Sequence, residues 1–311
     1  MPQRGVLTLA FGKPMFLDLA KSLARSLRLH DPGVPRAIVT DSSDPELLNL
    51  FDVKIDHRPE YGSDVGQKLY LDLYSPFDET LFIDSDCLVI HKLDAFWAAF
   101  QDSDFGACGH RILRAGEKDE FVDVDRVLKH FGLTGLPKFN GGIYYFKKNP
   151  GAAAVFERAR GLIDRAGELG FRTFRGGGLA DEALYSVAMA LHGIPLTEMA
   201  PGGMWTPLNA TSPLAIDTIR GVCSFVKAGE RVTPDIMHFT SMTDSFTYLR
   251  ECRKLEKFDA AQGKVSSKLP AAELMQLRLT SSQLWLIATT KRIRRKLGKL
   301  AAKRGLAVQG F

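Results

Sequence analysis

Apolar positions in this chain alternate between two rhythms. Gly5-Val6-Leu7-Thr8-Leu9-Ala10 reads as a strand, broken by Gly12-Lys13-Pro14. Residues 15–30 then carry Leu19, Leu23 and Leu27 at helical spacing, and Asp31-Pro32-Gly33 ends the pattern. Residues 36–40 read as a second strand, 46–51 as a short helix behind Asp44-Pro45, 53–55 as a third strand and 67–73 as a helix. Such alternation with short links predicts a parallel α/β sheet with helices on its faces. Farther on, 143–146 is strongly β-prone, 152–166 and 183–191 read as helices, and 235–240 reads as a short strand. After Leu269-Pro270, one long helical pattern runs to a stop at Arg304-Gly305.

The densest signal is Thr80-Leu81-Phe82-Ile83-Asp84-Ser85-Asp86-Cys87-Leu88-Val89. Leu81-Phe82-Ile83 suits an interior strand covered on both faces. Two carboxylates at its end cost several kcal/mol unless a cation or partner compensates them. On an extended chain, residues i and i+2 project to one side, so Asp84 and Asp86 are expected to approach one ion. Hard oxygen ligands suit Mg²⁺ or Mn²⁺, which also bind phosphate oxygens. The competing reading is two aspartates in a solvated turn. In open α/β sheets ligands bind at the carboxyl ends of strands, where Ala10, Asp41 and Asp84 are all expected.

Further candidates follow. Phe139-Asn140-Gly141-Gly142 precedes the β-prone run, and its glycines permit close backbone approach to a ligand or form a hairpin corner. Arg175-Gly176-Gly177-Gly178 precedes Asp181-Glu182, where Asp181 reads as an N-cap or as a site residue. His238 ends the last short strand, as a packed core histidine or a metal ligand.

The chain has 311 residues, 45% hydrophobic and 25% charged, enough for a substantial core. Net charge is +5, but residues 281–311 hold eight basic side chains and no acidic one. With those eight removed from 41 Lys+Arg, 33 remain against 36 Asp+Glu, so the body is mildly acidic and nucleic acid is not an expected partner. The chain is accordingly divided into residues 1–262 and a basic amphipathic tail, 263–311. Leu286, Ile293, Leu297, Leu300 and Ala301 share a stripe beside Trp285, while basic residues crowd the other faces. That pattern predicts an anionic membrane surface as partner for 281–311, against a helix packed on protein. Four scattered cysteines without a C-x-x-C pair read as reduced thiols. The expected location is cytoplasmic, peripheral on the inner face of the cytoplasmic membrane.

Over residues 5–245 these segments, in this order, resemble retaining glycosyltransferases of family 8, the glycogenin-like and bacterial lipopolysaccharide galactosyltransferase-like enzymes. Lys68-Leu69-Tyr70-Leu71-Asp72-Leu73, the Asp84-Ser85-Asp86 strand and Lys92-Leu93-Asp94 resemble the family's lysine helix, its D-x-D strand and the following turn. Phe139-Asn140-Gly141-Gly142-Ile143 is similar to Phe-Asn-Ser-Gly-Val, Asp181-Glu182-Ala183-Leu184 to Asp-Gln-x-x-Leu, and His238-Phe239 to the segment carrying the metal histidine.

The resemblance implies a GT-A nucleotide-sugar-binding fold, Rossmann-like, with a mixed, mainly parallel sheet flanked by helices. It implies Mn²⁺ (or Mg²⁺) on Asp84, Asp86 and His238. Donor contacts would come from Ala10, Phe11, Asp41, Lys68, Asp84, Ser85, Asn140, Gly141 and Gly142. Asp181 would hold sugar hydroxyls, and Glu182 would lie under the anomeric carbon. The implied activity is transfer of a hexosyl unit from a nucleotide-sugar donor, a UDP-sugar in the family pattern, to a glycan or lipid-linked glycan acceptor, with retention.

Three departures stand out. The base-holding loop is Ala10-Phe11-Gly12-Lys13-Pro14, with Phe11 or Phe16 in place of the usual Tyr. Glu182 replaces Gln. Thr240-Ser241-Met242-Thr243-Asp244 replaces Gly-x-x-Lys-Pro-Trp and removes a phosphate-binding lysine. An inactive nucleotide-sugar binder and a D-x-D phosphatase remain as alternative readings.

Overall fold

The computed structural model describes residues 3–62, 64–109, 111–173, 178–263 and 268–303, with the side chains of 64, 292 and 294–303 outside that description. Packing divides the chain into two units, residues 1–238 and 239–311. Within the first, β1 (Arg4–Leu9), β2 (Arg36–Thr40), β3 (Val53–Asp56) and β4 (Glu79–Ile83) run parallel to one another. The chain then forms β5 (Cys87–Val89), β6 (Phe105–Gly106) and the antiparallel pair of β7 (Arg111–Leu113) with β8 (Leu136–Lys138). Next come β9 (Ile143–Lys147), β10 (Met204–Trp205), β11 (Ala215–Asp217), β12 (Val222–Lys227), β13 (Glu230–Val232) and β14 (Ile236–His238).

The main sheet has the order β3-β2-β1-β4-β9-β6, with β9 antiparallel to β4. It is the expected mixed, mainly parallel α/β sheet. Pleating sends alternate residues to opposite faces, and both faces are covered. Phe82, Tyr144 and Phe146 enter one core with Phe105, Phe156 and Tyr185. Leu81, Ile83, Ile143 and Tyr145 enter the other, against Leu23 and Leu27 of the helix Pro14–His30 and Phe96, Trp97 and Phe100 of the helix Asp94–Phe100. Full burial of each such side chain contributes about 1.5–3 kcal/mol. Pro14 starts the first helix, Leu19, Leu23 and Leu27 form its buried stripe, and Arg28 and His30 suit its negative end.

The apolar run around the aspartates is two strands in two sheets. After β4 the chain leaves the main sheet, and β5 joins a second one of order β10-β14-β5. The Cys87 N–H donates to the Asp84 carbonyl at 3.0 Å, so residues 84–86 form a turn. The extended geometry expected from the i, i+2 spacing is therefore absent, because the turn hands the chain from one sheet to the other.

Other elements differ in extent. Residues 67–73 wind as a 3₁₀ helix (Asp64–Tyr70) before a short α-helix (Leu71–Tyr74). Buried Gln67 donates from its side chain to the carbonyls of Arg58 and Gly62, tying this tighter winding to the preceding loop. The pattern over 152–166 divides into helices Pro150–Gly161 and Ala166–Leu169. The last strand is only Ile236–His238.

In the second unit, Ser245 caps the helix Phe246–Ala260 by accepting from Tyr248 N–H. The long helix is Ala271–Lys303. Glu273 pairs with Lys257 at 2.6 Å, and the Arg278 guanidinium lies 4.9 Å from the Phe246 ring centroid. The stop expected at Arg304-Gly305, the basic side chains from Arg292 onward and residues 175–177 of the glycine-rich stretch lie outside the described residues.

Candidate active site

Parallel pairing places the carboxyl ends of β1, β2, β3 and β4 on one edge, and two further contacts build a cluster on it. Antiparallel β9 brings residues 140–142 alongside the end of β4, where Asp84 N–H donates to the Gly142 carbonyl at 2.9 Å. Antiparallel β14 sets His238 opposite Cys87. His238 Nε2 thereby lies 3.0 Å from Asp86 Oδ1 and 3.8 Å from Asp84 Oδ2.

The imidazole is oriented from behind. Asn140 Oδ1 accepts the Gly142 N–H at 3.0 Å and lies 2.6 Å from His238 Nδ1. Because that oxygen is an acceptor, Nδ1 carries the proton it receives, and Nε2 is the nitrogen turned to the carboxylates. Neither Gly141 nor Gly142 has a positive φ. Glycine is required for space: a Cβ on Gly142 would run into the His238 ring, and one on Gly141 would lie 2.6 Å from the Tyr144 hydroxyl and 2.8 Å from Asp181 Oδ2.

Lys68 is almost fully buried and donates to Asp84 Oδ2 at 2.7 Å and to the Gly141 carbonyl at 3.0 Å, with Asp181 Oδ2 at 3.5 Å. Its own carbonyl accepts from Tyr185 OH at 2.7 Å. Asp181 opens the helix Asp181–Leu191 without capping it, since Ala180 is the N-cap residue. Its Oδ2 accepts from Tyr144 OH at 2.7 Å. Glu182 Oε1 accepts the Gly141 N–H at 2.9 Å, and its Oε2 lies 3.8 Å from Lys138, which also pairs with Asp119 at 2.8 Å.

Charge states follow from burial and neighbours. Burial disfavours the Lys68 ammonium, but Asp181 and Asp84 outweigh it and hold the pKa well above the ordinary lysine value. Burial raises Asp84 against the pull of Lys68. Burial also opposes charge on both members of the Asp86–His238 pair, yet their mutual attraction lowers the carboxylate and raises the imidazole. Glu182 is raised by burial and then by the Asp181 charge.

The donor set fits a hard divalent cation. Asp86, Cys87 and His238 each offer a ligand atom within 4.8 Å of one another. Burial and the neighbouring aspartates push the Cys87 thiol far up, and its Sγ contacts the Gly142 carbonyl. Asp84 stands outside the group of Asp86, Cys87 and His238, its Oδ2 3.8 Å from His238 Nε2, so the expected Asp84, Asp86 and His238 set is not drawn together to the same distance. Two carboxylates and an imidazole nevertheless suit a hard divalent ion better than a soft thiol does. Asp84 Oδ1 has no protein hydrogen bond among the described residues, and Asp84 and Asp86 remain 20% and 22% exposed, open to an ion from solvent. Ser85 sits half-buried in the turn between them.

Ala10, Phe11 and Asp41 lie farther along the same edge and make a separate group. Ala10 is buried at the end of β1, and exposed Asp41 accepts the Gly12 N–H with both oxygens at 3.1 Å. Phe11 stacks on His57, with centroids 4.0 Å apart at 18°, and His57 Nε2 is buried without a partner among the described residues.

The sequence reading missed His57, Tyr144 and Lys138. The β-prone run 143–146 puts Tyr144 on a strand without marking it as a site residue, and nothing local marks the other two.

No family model matches the chain, and no curated protein matches it. Among solved structures, the galactosyltransferase LgtC in complex with donor and acceptor sugar analogues is similar at a TM-score of 0.52 and 14% identity, over 86% of this chain and 98% of that one. An active-site mutant of LgtC carrying Glu in place of Gln gives a TM-score of 0.53, also at 14% identity and the same coverage. The chain therefore has the GT-A glycosyltransferase fold.

Proposed function

We propose that this protein is a metal-dependent glycosyltransferase of the family 8 kind, moving a hexosyl unit from a nucleotide-diphosphate sugar, a UDP-sugar by resemblance, to a glycan or glycolipid with retention. One observation carries the reading. On this fold, residues far apart in sequence (Lys68, Asp84, Asp86, Asn140, Asp181, Glu182 and His238) meet at one strand edge as a cluster of carboxylates with one imidazole and a buried lysine, which supports a cation site.

Asp84, Asp86 and His238 would hold the ion, which would supply Lewis-acid stabilisation of the diphosphate leaving group. Lys68 adds a fixed cation whose orientation is set by Asp84, Asp181 and the Gly141 carbonyl, so little reorganisation accompanies charge development. Asn140 keeps the imidazole turned toward the carboxylates. Asp181 binds sugar hydroxyls while Tyr144 holds one of its oxygens. Glu182 serves the reaction centre from its bond to Gly141, positioned by the same loop that carries Asn140. Retention follows either from attack by Glu182 on the face opposite the leaving group or from entry of the acceptor on the leaving group's own face.

A panel of nucleotide-sugars with Mn²⁺, read as release of free nucleotide, tests the proposal. Turnover of one donor class, abolished by chelator and restored by Mn²⁺, is expected. A donor-dependent rise in Tm without turnover would reduce the reading to a binding protein, and cleavage of a generic phosphomonoester would replace it with a phosphatase.

We propose further that residues 281–311 bind an anionic membrane surface, with the protein peripheral on the inner face of the cytoplasmic membrane. Among the described residues no helix is long and apolar enough to cross a membrane. Met275, Leu279, Trp285, Leu286, Ile287 and Ile293 are nevertheless exposed on the helix Ala271–Lys303, ahead of a basic, acid-free sequence. Apolar burial plus about 1 kcal/mol per basic residue near the surface favours a lipid interface. Truncation after Ser282 keeps the Glu273 and Arg278 contacts and should abolish sedimentation with anionic liposomes. A full-length protein that ignores such liposomes at low salt contradicts the placement.

A further inference from the structure

A cavity of about 170 Å³ opens beside Asn140, walled by Lys138 and Phe139 at the end of β8, by residues 198–206 and by the end of β12. Its charged groups are unequal. Lys138 is already paired with Asp119 and Glu182, and Glu198 is exposed at the margin. Lys227 is half-buried, and its ammonium makes one hydrogen bond among the described residues, to the Thr206 carbonyl at 2.8 Å. Glu230, its cross-strand neighbour in the β12–β13 hairpin, is exposed and makes no ion pair with it.

An ammonium has three donors, and a charge drawn out of water is normally paired. Burial already disfavours the charge on Lys227. The Lys227 ammonium also lies over the Trp205 ring, 6.0 Å from its centroid, a cation–π contact that leaves its charge without a carboxylate partner among the described residues. The indole N–H donates to the Gly202 carbonyl at 2.6 Å, which fixes the ring against the cavity wall. An aromatic ring and a cation without a carboxylate partner among the described residues, in a cavity lined also by Asn140, suit a ring bearing a negative charge.

We propose that this cavity binds an acceptor sugar carrying a carboxylate or phosphate, with Lys227 as the counter-charge and Trp205 as the platform for the ring. The assignment to the acceptor rests on the glycosyl-transfer reading, whereas the anion site stands on its own geometry. Sugar carboxylates and sugar phosphates share the chemistry that Lys227 reads. The donor diphosphate is the other source of negative charge, and the two sources are separable.

Full-length protein is titrated with glucose 6-phosphate, glucuronate and glucose by calorimetry, without donor or metal, so the outcome does not depend on the donor panel. At least one anionic sugar is expected to bind about tenfold or more tightly than glucose. Lys227→Gln, which retains a donor for Thr206, should abolish that preference at unchanged Tm, and Trp205→Leu should weaken all three ligands. UDP binding in the presence of Mn²⁺ should change by less than about twofold in Lys227→Gln.

Equal binding of the three sugars overturns the proposal, as does failure of both anionic sugars to bind by about 10 mM. So does an anionic preference that survives in Lys227→Gln. Tenfold weaker UDP binding in that variant, with sugar binding untouched, assigns Lys227 to the donor and also overturns it.

Discussion

Two stretches of the same sheet edge are built in opposite ways. Around Asp84 the polar groups hold one another: Lys68 is shared by Asp84, Asp181 and the Gly141 carbonyl, Asn140 by Gly142 and His238, and Gly141 by Glu182 and Lys68. Around Ala10 the contacts are local and few, with Asp41 exposed over the Gly12 N–H and Phe11 lying on His57. Under the proposed function the first stretch does the chemistry and the second reads the base. An interlocked cluster transmits any change to every member, whereas a stacked pair on a loop confines it.

The largest effect is expected at the ion. Asp86→Asn removes charge without volume and should lower transfer about a thousandfold or more, with far-UV circular dichroism unchanged. Wild-type protein in chelator should lose activity likewise and regain it with Mn²⁺. Full activity of the variant in chelator would detach this cluster from metal chemistry.

Glu182→Gln comes next. If the carboxylate acts on the transition state, kcat should fall about 10²- to 10⁴-fold while donor KM moves little. An equal loss in affinity would make Glu182 a binding group that braces Gly141, and a rate near wild type would favour same-face entry of the acceptor.

Gly142→Ala tests the interlocking itself. The added methyl meets the His238 ring, and overpacking of about 1–3 kcal/mol should lower Tm by several degrees in metal-free protein. An unchanged Tm would mean that the loop yields and that the cluster is looser than its contacts imply.

The smallest change is expected on the other side of the comparison. Phe11→Ala loses an aromatic stack of about 0.5–1.5 kcal/mol, so donor KM should rise by roughly two- to twelvefold and selectivity among bases should relax, with kcat preserved. A large fall in kcat would show that the two stretches are coupled after all.

The elements legible in the sequence were those whose signals are local. Leu19, Leu23 and Leu27 betray their helix by spacing, Pro14 and Asp31-Pro32 its ends, and Leu81-Phe82-Ile83 a strand buried on both sides. The Asp84-Ser85-Asp86 spacing was visible too, but the geometry inferred from it was not the one adopted, because a turn changes the meaning of i, i+2. Lys138, His57 and Lys227 carried no signal, since a lone lysine or histidine acquires a role only from what packs beside it.

What the sequence by itself determined is therefore the local alphabet: where the chain extends, where it coils, where it must turn, and that two carboxylates follow an apolar strand. Only tertiary structure decided that antiparallel β9 lies beside β4 and β14 beside β5, setting Asn140, Gly142 and His238 against the aspartates. The physical reason is range. Strand and helix patterns are set by neighbours within a few residues, whereas the site is set by pairings between segments about 60 to 150 residues apart, whose register depends on the burial of both sheet faces at once.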